Sequence, residues 1–200
     1  MFKIIRFIKS RYRELIVYFY YTGKPKKINP IFYLRKLIEK KSKDYIEKID
    51  ELKILLDEVI QKSNSTGVNY SDHKILFDIV RKTKPKFVLE LGSGVSSTTI
   101  SYALKKNNES DKVSGKLISL EENLEYHNEV KKITNAELLP YIDFILSARK
   151  TKKINNMLGC YYDYIPNQKY DIIFIDGPTL RGIPADFKNE KAFKSDILNI

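Results

Sequence analysis

Three short stretches of this 200-residue chain place glycines and acids where a small ligand can be held. The first is Glu90-Leu91-Gly92-Ser93-Gly94-Val95-Ser96-Ser97. Glycines in such a turn let the backbone adopt tight or left-handed conformations and let a ligand approach closely. A helix opening near Ser97 would add free N–H groups and a positive dipole end. A dinucleotide loop needs Gly-x-Gly-x-x-Gly, and its third position here is Ser97; a Walker loop needs a lysine that does not follow. The second stretch ends in Glu121, 27 residues beyond Gly94. A carboxylate there can accept both hydroxyls of a ribose, or it can sit solvated at a helix N-terminus, a use that suits neighbouring Glu122. The third, Tyr170 to Pro178, delivers Asp176 to a strand tip, as a general base facing a cleft or as a turn former ahead of Gly177.

The elements that must position these residues are strands alternating with helices. Phe87–Leu91, Lys116–Leu120, Ile142–Leu146 and Asp171–Ile175 read as short apolar strands. Helices are expected from about Ser71 to Lys82, from Ser97 to Lys106, and through Thr134. Such alternation predicts an α/β fold with a parallel, doubly wound sheet and right-handed crossovers. Ligands then bind at the carboxyl ends of the strands, where all three stretches fall.

Together FVLELGSGVSS, LISLEEN and YDIIFIDGP, in that order over residues 70–180, resemble the class I S-adenosylmethionine-dependent methyltransferases. The IDGP ending and the preceding YDYIPNQKYD are similar to a bacterial small-molecule subgroup. The resemblance implies a Rossmann-like sheet and S-adenosylmethionine as cofactor. It assigns Glu90, Gly92, Ser93 and Gly94 to the methionine portion, with Ser96 and Ser97 completing the turn, Glu121 to the ribose, and Ser147 and Ala148 to the adenine. Asp176 is the candidate general base. Asp171, Phe174 and Asp176 also echo a strand of catechol-type enzymes whose second aspartate binds a divalent metal. Here Thr179-Leu180 follow, and one carboxylate does not make an octahedral oxygen site, so no metal is expected.

The family sheet has seven strands, and about four are found here. Residues 187–200 are expected to form the helix after strand four, leaving that strand as an edge. The expectation is a C-terminally incomplete chain, or one completed by a partner.

Charge separates the chain into two parts. Residues 1–43 hold 13 Lys/Arg and 2 acids, which accounts for the whole net charge of +11. The remainder is neutral, which argues against a basic nucleic-acid groove across the domain. The expected division is therefore a basic helical segment, residues 1–62, and a cofactor-binding domain, residues 63–200. Residues 2–21 read as an amphipathic helix, with Lys3, Arg6, Lys9 and Arg13 opposite Ile, Phe and Leu, able to lie on an anionic membrane or to pack internally. The uncharged run from Leu15 to Gly23 is nine residues, well short of the roughly 20 that cross a bilayer. A long helix over about 30–61 carries a heptad-like seam of Ile31, Ile38, Tyr45, Leu52 and Val59, suited to a homodimer or to packing on the domain. Cys160, the lone cysteine, fits a reducing compartment and a packing role, so a cytoplasmic protein, peripheral on the membrane, is expected.

The leading function is methyl transfer to oxygen or nitrogen of a small-molecule acceptor. A nucleic-acid methyltransferase is disfavoured, because Asp176-Gly177-Pro178-Thr179 replaces Asn/Asp-Pro-Pro-aromatic and Gly rather than Pro precedes Cys160. A non-catalytic cofactor-binding or membrane-associated module is the other alternative.

Overall fold

A computed structural model describes residues 30–63, 68–154, 157–178 and 192–196. The chain divides into two units, residues 1–38 and 39–200. The amphipathic stretch 2–21 lies outside the described residues. Three helices come first: α1 (Pro30–Ile46), α2 (Asp50–Lys62) and α3 (Tyr70–Thr83). Then follow β1 (Phe87–Leu91), α4 (Val95–Asp111), β2 (Lys116–Glu121), α5 (Leu124–Ile133), a 3₁₀ turn (Ala136–Tyr141) and β3 (Ile142–Leu146). The last strands are β4 (Arg149–Ile154), β5 (Met157–Tyr162), β6 (Ile172–Ile175) and β7 (Ala192–Lys194). Among the described residues no helix is long and apolar enough to cross a membrane.

The four anticipated strands form one parallel sheet in the order β3-β2-β1-β6. This is an α/β, Rossmann-like arrangement flanked by helices. Both faces of β1 and β2 are covered, which is why these strands read as near-continuous apolar runs. Val88 and Leu117 point to the side packed by Leu52 and Leu56 of α2, Leu76 and Val80 of α3, and Ile100 and Leu104 of α4. Leu89, Leu91, Ile118 and Leu120 point to the other side, covered by Tyr162, Ile165 and Tyr170. Strand order reverses at β1, so the ligand-binding crevice of such a sheet falls between the tips of β1 and β6.

Two expectations are corrected. The stretch 30–61 is not one helix. It breaks at Glu47–Ile49, where Lys48 and Ile49 donate to carbonyls three residues back and Ile49 leaves helical geometry (φ −100°, ψ 84°). The break lets Ile46 and Leu52 enter the same core, a stronger gain than continuing a heptad whose Ile38 and Tyr45 are solvent-exposed. Within 187–200 residues 192–194 form a strand where a helix was expected: β7 pairs in parallel with β5. Beyond it Ser195 N donates to the Cys160 carbonyl at 2.7 Å, and the Asp196 carboxylate accepts from Tyr162 N at 2.7 Å. Pairing with an open strand edge has overridden a helix-like local pattern.

A second sheet, β4-β5-β7, was not anticipated at all. It is an antiparallel β4–β5 hairpin with β7 added, and it stands where a helix would otherwise connect β3 to β6. Cys160 is buried within it, in keeping with a packing residue.

Candidate functional site

The turn after β1 is held by a carboxylate beneath it. Glu90 is fully buried on the α4 side of β1, in register with Ser119 of β2. It accepts hydrogen bonds from Ser96 Oγ at 2.6 Å, Ser119 Oγ at 2.6 Å and Ser97 Oγ. Ser93 Oγ lies 2.7 Å from Ser119 Oγ and extends the network to the turn itself. Burial pushes the Glu90 carboxyl up to about 7, although the three hydroxyls favour its ionised form. Glu90 therefore positions the turn from below and offers no surface to the crevice.

The two glycines have separate tasks. Gly92 has φ +102°, and a Cβ there would lie 2.5 Å from Gly177 N and 2.9 Å from its Cα. It is needed because the β1 and β6 tips touch: Asp176 N donates to Leu91 O at 2.8 Å, and Gly177 N donates to the same carbonyl. Gly94 is extended (φ 177°) and opens α4, its N–H donating to Ser97 Oγ at 3.1 Å. A Cβ on Gly94 would meet only Tyr126 Oη, at 3.7 Å. The space above Gly94 is open.

That space is a cleft of about 120 Å³ between the tips of β1 and β6 and the first turn of α3. Ser93, Gly94 and Ser96 form one wall, Asp176 and Phe174 a second, Asp72 and His73 a third, and Tyr126 of α5 closes the side. Asn69 caps α3 by accepting from Ser71 N at 3.0 Å. Glu39 accepts from Tyr70 N at 2.6 Å and Ser71 N at 3.0 Å, so a residue of α1 fixes the wall that carries Asp72. Burial, with the charges of Glu39 and Asp176, raises the Asp72 carboxyl above its usual range. His73 donates to or accepts from Thr99 Oγ1 at 2.7 Å, and burial holds its pKa down at about 4, so it is neutral at pH 7. Among the described residues the lining thus carries two carboxylic acids and no lysine or arginine.

Glu121 sits at the β2 tip, nearly buried, and its Oε1 accepts from Glu122 N at 3.0 Å and Asn123 N at 2.9 Å. Burial pushes it up to about 7; the Asn123 amide opposes this and the Glu122 charge adds to it. It stands at the same end of the sheet as the cleft but does not line it. Glu122 accepts from the buried Tyr162 hydroxyl at 2.7 Å. Ser147 and Ala148 follow β3, and both are engaged with the chain ahead of β6. Ser147 Oγ donates to Tyr164 O at 2.8 Å and accepts from Tyr164 N at 2.9 Å, while Ala148 O accepts from Asp163 N at 2.8 Å. Asp171 is at the opposite end of β6 from Asp176, where its carboxylate accepts from Lys86 N at 2.7 Å and Phe87 N at 3.1 Å. The two aspartates of the catechol-like pattern do not share a site.

Of the residues anticipated from sequence, the structure brings Ser93, Gly94, Ser96 and Asp176 together around the cleft. It sets Glu90, Gly92 and Ser97 beneath it. Asp72, His73 and Tyr126 were missed, because their separation in sequence gives no sign of a shared wall. The one local signal was an acid in the first turn of a helix capped by Asn69. No protein-family model matches this sequence, and no curated protein matches it at a significant level.

Proposed function

We propose that the chain binds S-adenosylmethionine and belongs to an enzyme that transfers its methyl group to a small-molecule acceptor. The observation that carries this reading is the sign of charge at the strand-order switch point. Asp72 and Asp176 face a cleft that, among the described residues, is lined by no Lys or Arg and by one histidine, His73, which is neutral. Carboxylates at that position repel the pyrophosphate of a dinucleotide and favour a ligand bearing ammonium or sulfonium groups. The residues fit such a group: Gly94 leaves open space above the turn, and hydroxyls and carboxylates supply acceptors around it.

When bound, S-adenosylmethionine supplies an electrophilic methyl group on a sulfonium sulfur. The chain's own part is chiefly positioning. Glu90 and its serine partners keep the turn in one conformation, and Gly94 lets a ligand lie close to it. Ser93 and Ser96 line the cleft at the start of α4 with Ser97 holding Glu90 beneath them, Glu121 offers a carboxylate to a ribose at the neighbouring tip, and Ser147 and Ala148 mark the adenine end. Asp176, exposed at the β6 tip, takes the proton from an acceptor hydroxyl or amine. The protein is read as cytoplasmic. Residues 1–43 form an arm for an anionic membrane surface, and the helices of 30–61 are a candidate homodimer contact.

Calorimetric titration of the intact chain tests the assignment. S-adenosylhomocysteine should bind more tightly than NAD, and Glu121→Ala should weaken it by about 1–3 kcal/mol through unpaired ribose hydroxyls. Tighter binding of NAD would overturn the assignment.

A further inference from the structure

Resting on the reading above, the geometry points to an acceptor that is a phosphorylated small molecule, its phosphate held by the basic β4–β5 hairpin while its reactive end enters the acidic cleft.

The hairpin is tied to the carboxyl edge of the main sheet at several points. It begins directly after Ser147 and Ala148 at the β3 tip. Its second strand ends in Tyr162, whose hydroxyl reaches Glu122 at the β2 tip, and Tyr162 packs with Leu89 and Leu91 of β1. β7 extends the same sheet, and Lys194 Nζ donates to the backbone carbonyl of Asp176, the residue that lines the cleft. The hairpin therefore stands at the same end of the main sheet as the cleft, although none of its described residues lines it.

Its composition is unlike the rest of the globular part. β4 reads Arg149-Lys150-Thr151-Lys152-Lys153-Ile154, four cations and no acid in six residues, on a chain whose residues beyond 43 balance to zero with these four included. Alternation along the strand puts Lys150 and Lys152 on one face and Arg149 and Lys153 on the other, so cations flank the strand on both sides. Lys150 Nζ is 2.6 Å from the Asp163 carboxylate, in an exposed pair that contributes little and yields readily to a stronger anion. Lys152 Nζ lies 5.0 Å from the centre of the Tyr161 ring, which holds its stem along the sheet.

Lysines on an edge strand also discourage sheet-to-sheet pairing, and that role needs no ligand. What it does not account for is the polarity of this end of the sheet, acidic in the cleft and basic on the hairpin. A dianionic phosphate matches two cations on one face at once, as Lys150 and Lys152 are placed, whereas a single carboxylate matches one. A molecule with its nucleophile at one end and phosphate at the other satisfies both halves.

Inorganic pyrophosphate, titrated into the intact chain at low salt, is the probe. Two triple variants separate the hairpin from the basic N-terminal arm: Lys150→Gln, Lys152→Gln, Lys153→Gln in one, and Lys3→Gln, Arg6→Gln, Lys9→Gln in the other. The hairpin variant should lose roughly tenfold or more in pyrophosphate affinity, as expected for removing charge-assisted contacts, and the arm variant should lose little. Circular dichroism and thermal midpoint verify that each variant is folded. Equal losses in the two variants, or loss in the arm variant alone, would overturn the proposal. So would a single-stranded oligonucleotide that competes with pyrophosphate at the hairpin and binds far more tightly than it. S-adenosylhomocysteine titrated into the same proteins keeps the two readings apart. If it fails to bind the wild type, the methyltransferase reading fails whatever pyrophosphate does. If it binds both variants normally and only pyrophosphate is lost from the hairpin variant, the phosphate site stands beside an intact cofactor site.

Discussion

Gly92 and Gly94 are two residues apart in one turn, and alanine at each should produce opposite phenotypes. At Gly92 the backbone has φ +102°, a region L-residues occupy at a cost of about 1–3 kcal/mol. The added methyl would also stand 2.5 Å from Gly177 N, so the β6 tip must recede. Receding stretches the Asp176 N to Leu91 O bond, now 2.8 Å, whose loss costs about 0.5–1.5 kcal/mol. Gly92→Ala should therefore destabilise the fold by about 2–4 kcal/mol. At Gly94 the backbone is extended, and the nearest atom to a methyl is Tyr126 Oη at 3.7 Å. The stability cost there is that of a poorer N-cap, about 1 kcal/mol or less. The methyl instead fills the space above the turn, so S-adenosylhomocysteine affinity should fall about tenfold or more, the cost of a misplaced ligand in a shaped site. Urea titration followed by circular dichroism reads stability. With a slope of about 2 kcal/mol/M, the Gly92→Ala midpoint should drop by roughly 1–2 M and that of Gly94→Ala by about 0.5 M or less. Equal midpoint shifts would refute the division of labour between the two glycines. So would a Gly94→Ala protein that binds the ligand as well as wild type does.

Three further outcomes are expected, two from the structure and one from the sequence. Glu90 titrates at about 7 when folded and near its ordinary 4.5 when unfolded, so the folded state keeps its proton longer and stability falls as pH rises from about 4.5 to 7. Glu90→Gln should remove that loss, its stability relative to wild type growing across this window by as much as about 3 kcal/mol; a difference independent of pH would show that Glu90 does not titrate there. Glu39→Ala removes the acceptor that Tyr70 and Ser71 amides share and should cost about 1 kcal/mol, a fall of about 2–4 °C in thermal midpoint; an unchanged midpoint would mean that α3 is set by Asn69 alone. The basic arm, residues 1–43, should bind anionic vesicles at low salt and release them as salt rises, and an intact chain that ignores such vesicles would leave its apolar face to internal packing.

The parts of the fold legible in the sequence are those whose signal is local. β1 and β2 are buried on both faces, β3 and β6 are partly exposed edge strands, and in all four a largely apolar run of four to six residues marks the strand without knowledge of its neighbours. β4 has no such mark. Lys150, Lys152 and Lys153 are poor strand formers by propensity, and the strand exists because β5 offers a ladder and Tyr162 anchors it. β7 is hidden for the same reason, its residues spaced like a helix and held by an edge that is some 30 residues distant in sequence. The candidate site divides along the same line. Gly92-Ser93-Gly94, Glu121 and Asp176 follow strand ends, so a strand assignment is enough to bring them to one edge. Which way each then points depends on register. Glu90 meets Ser119 because β1 and β2 pair residue for residue, and that alternation sends Glu90 under the turn rather than into the crevice. Asp72 comes to the cleft on a helix whose start is held both by Asn69 and by Glu39, 33 residues before Asp72. A motif therefore fixes which end of the sheet a residue reaches, whereas the sign of charge in the cleft, on which the choice of ligand turns, is set by contacts between segments that no local pattern connects.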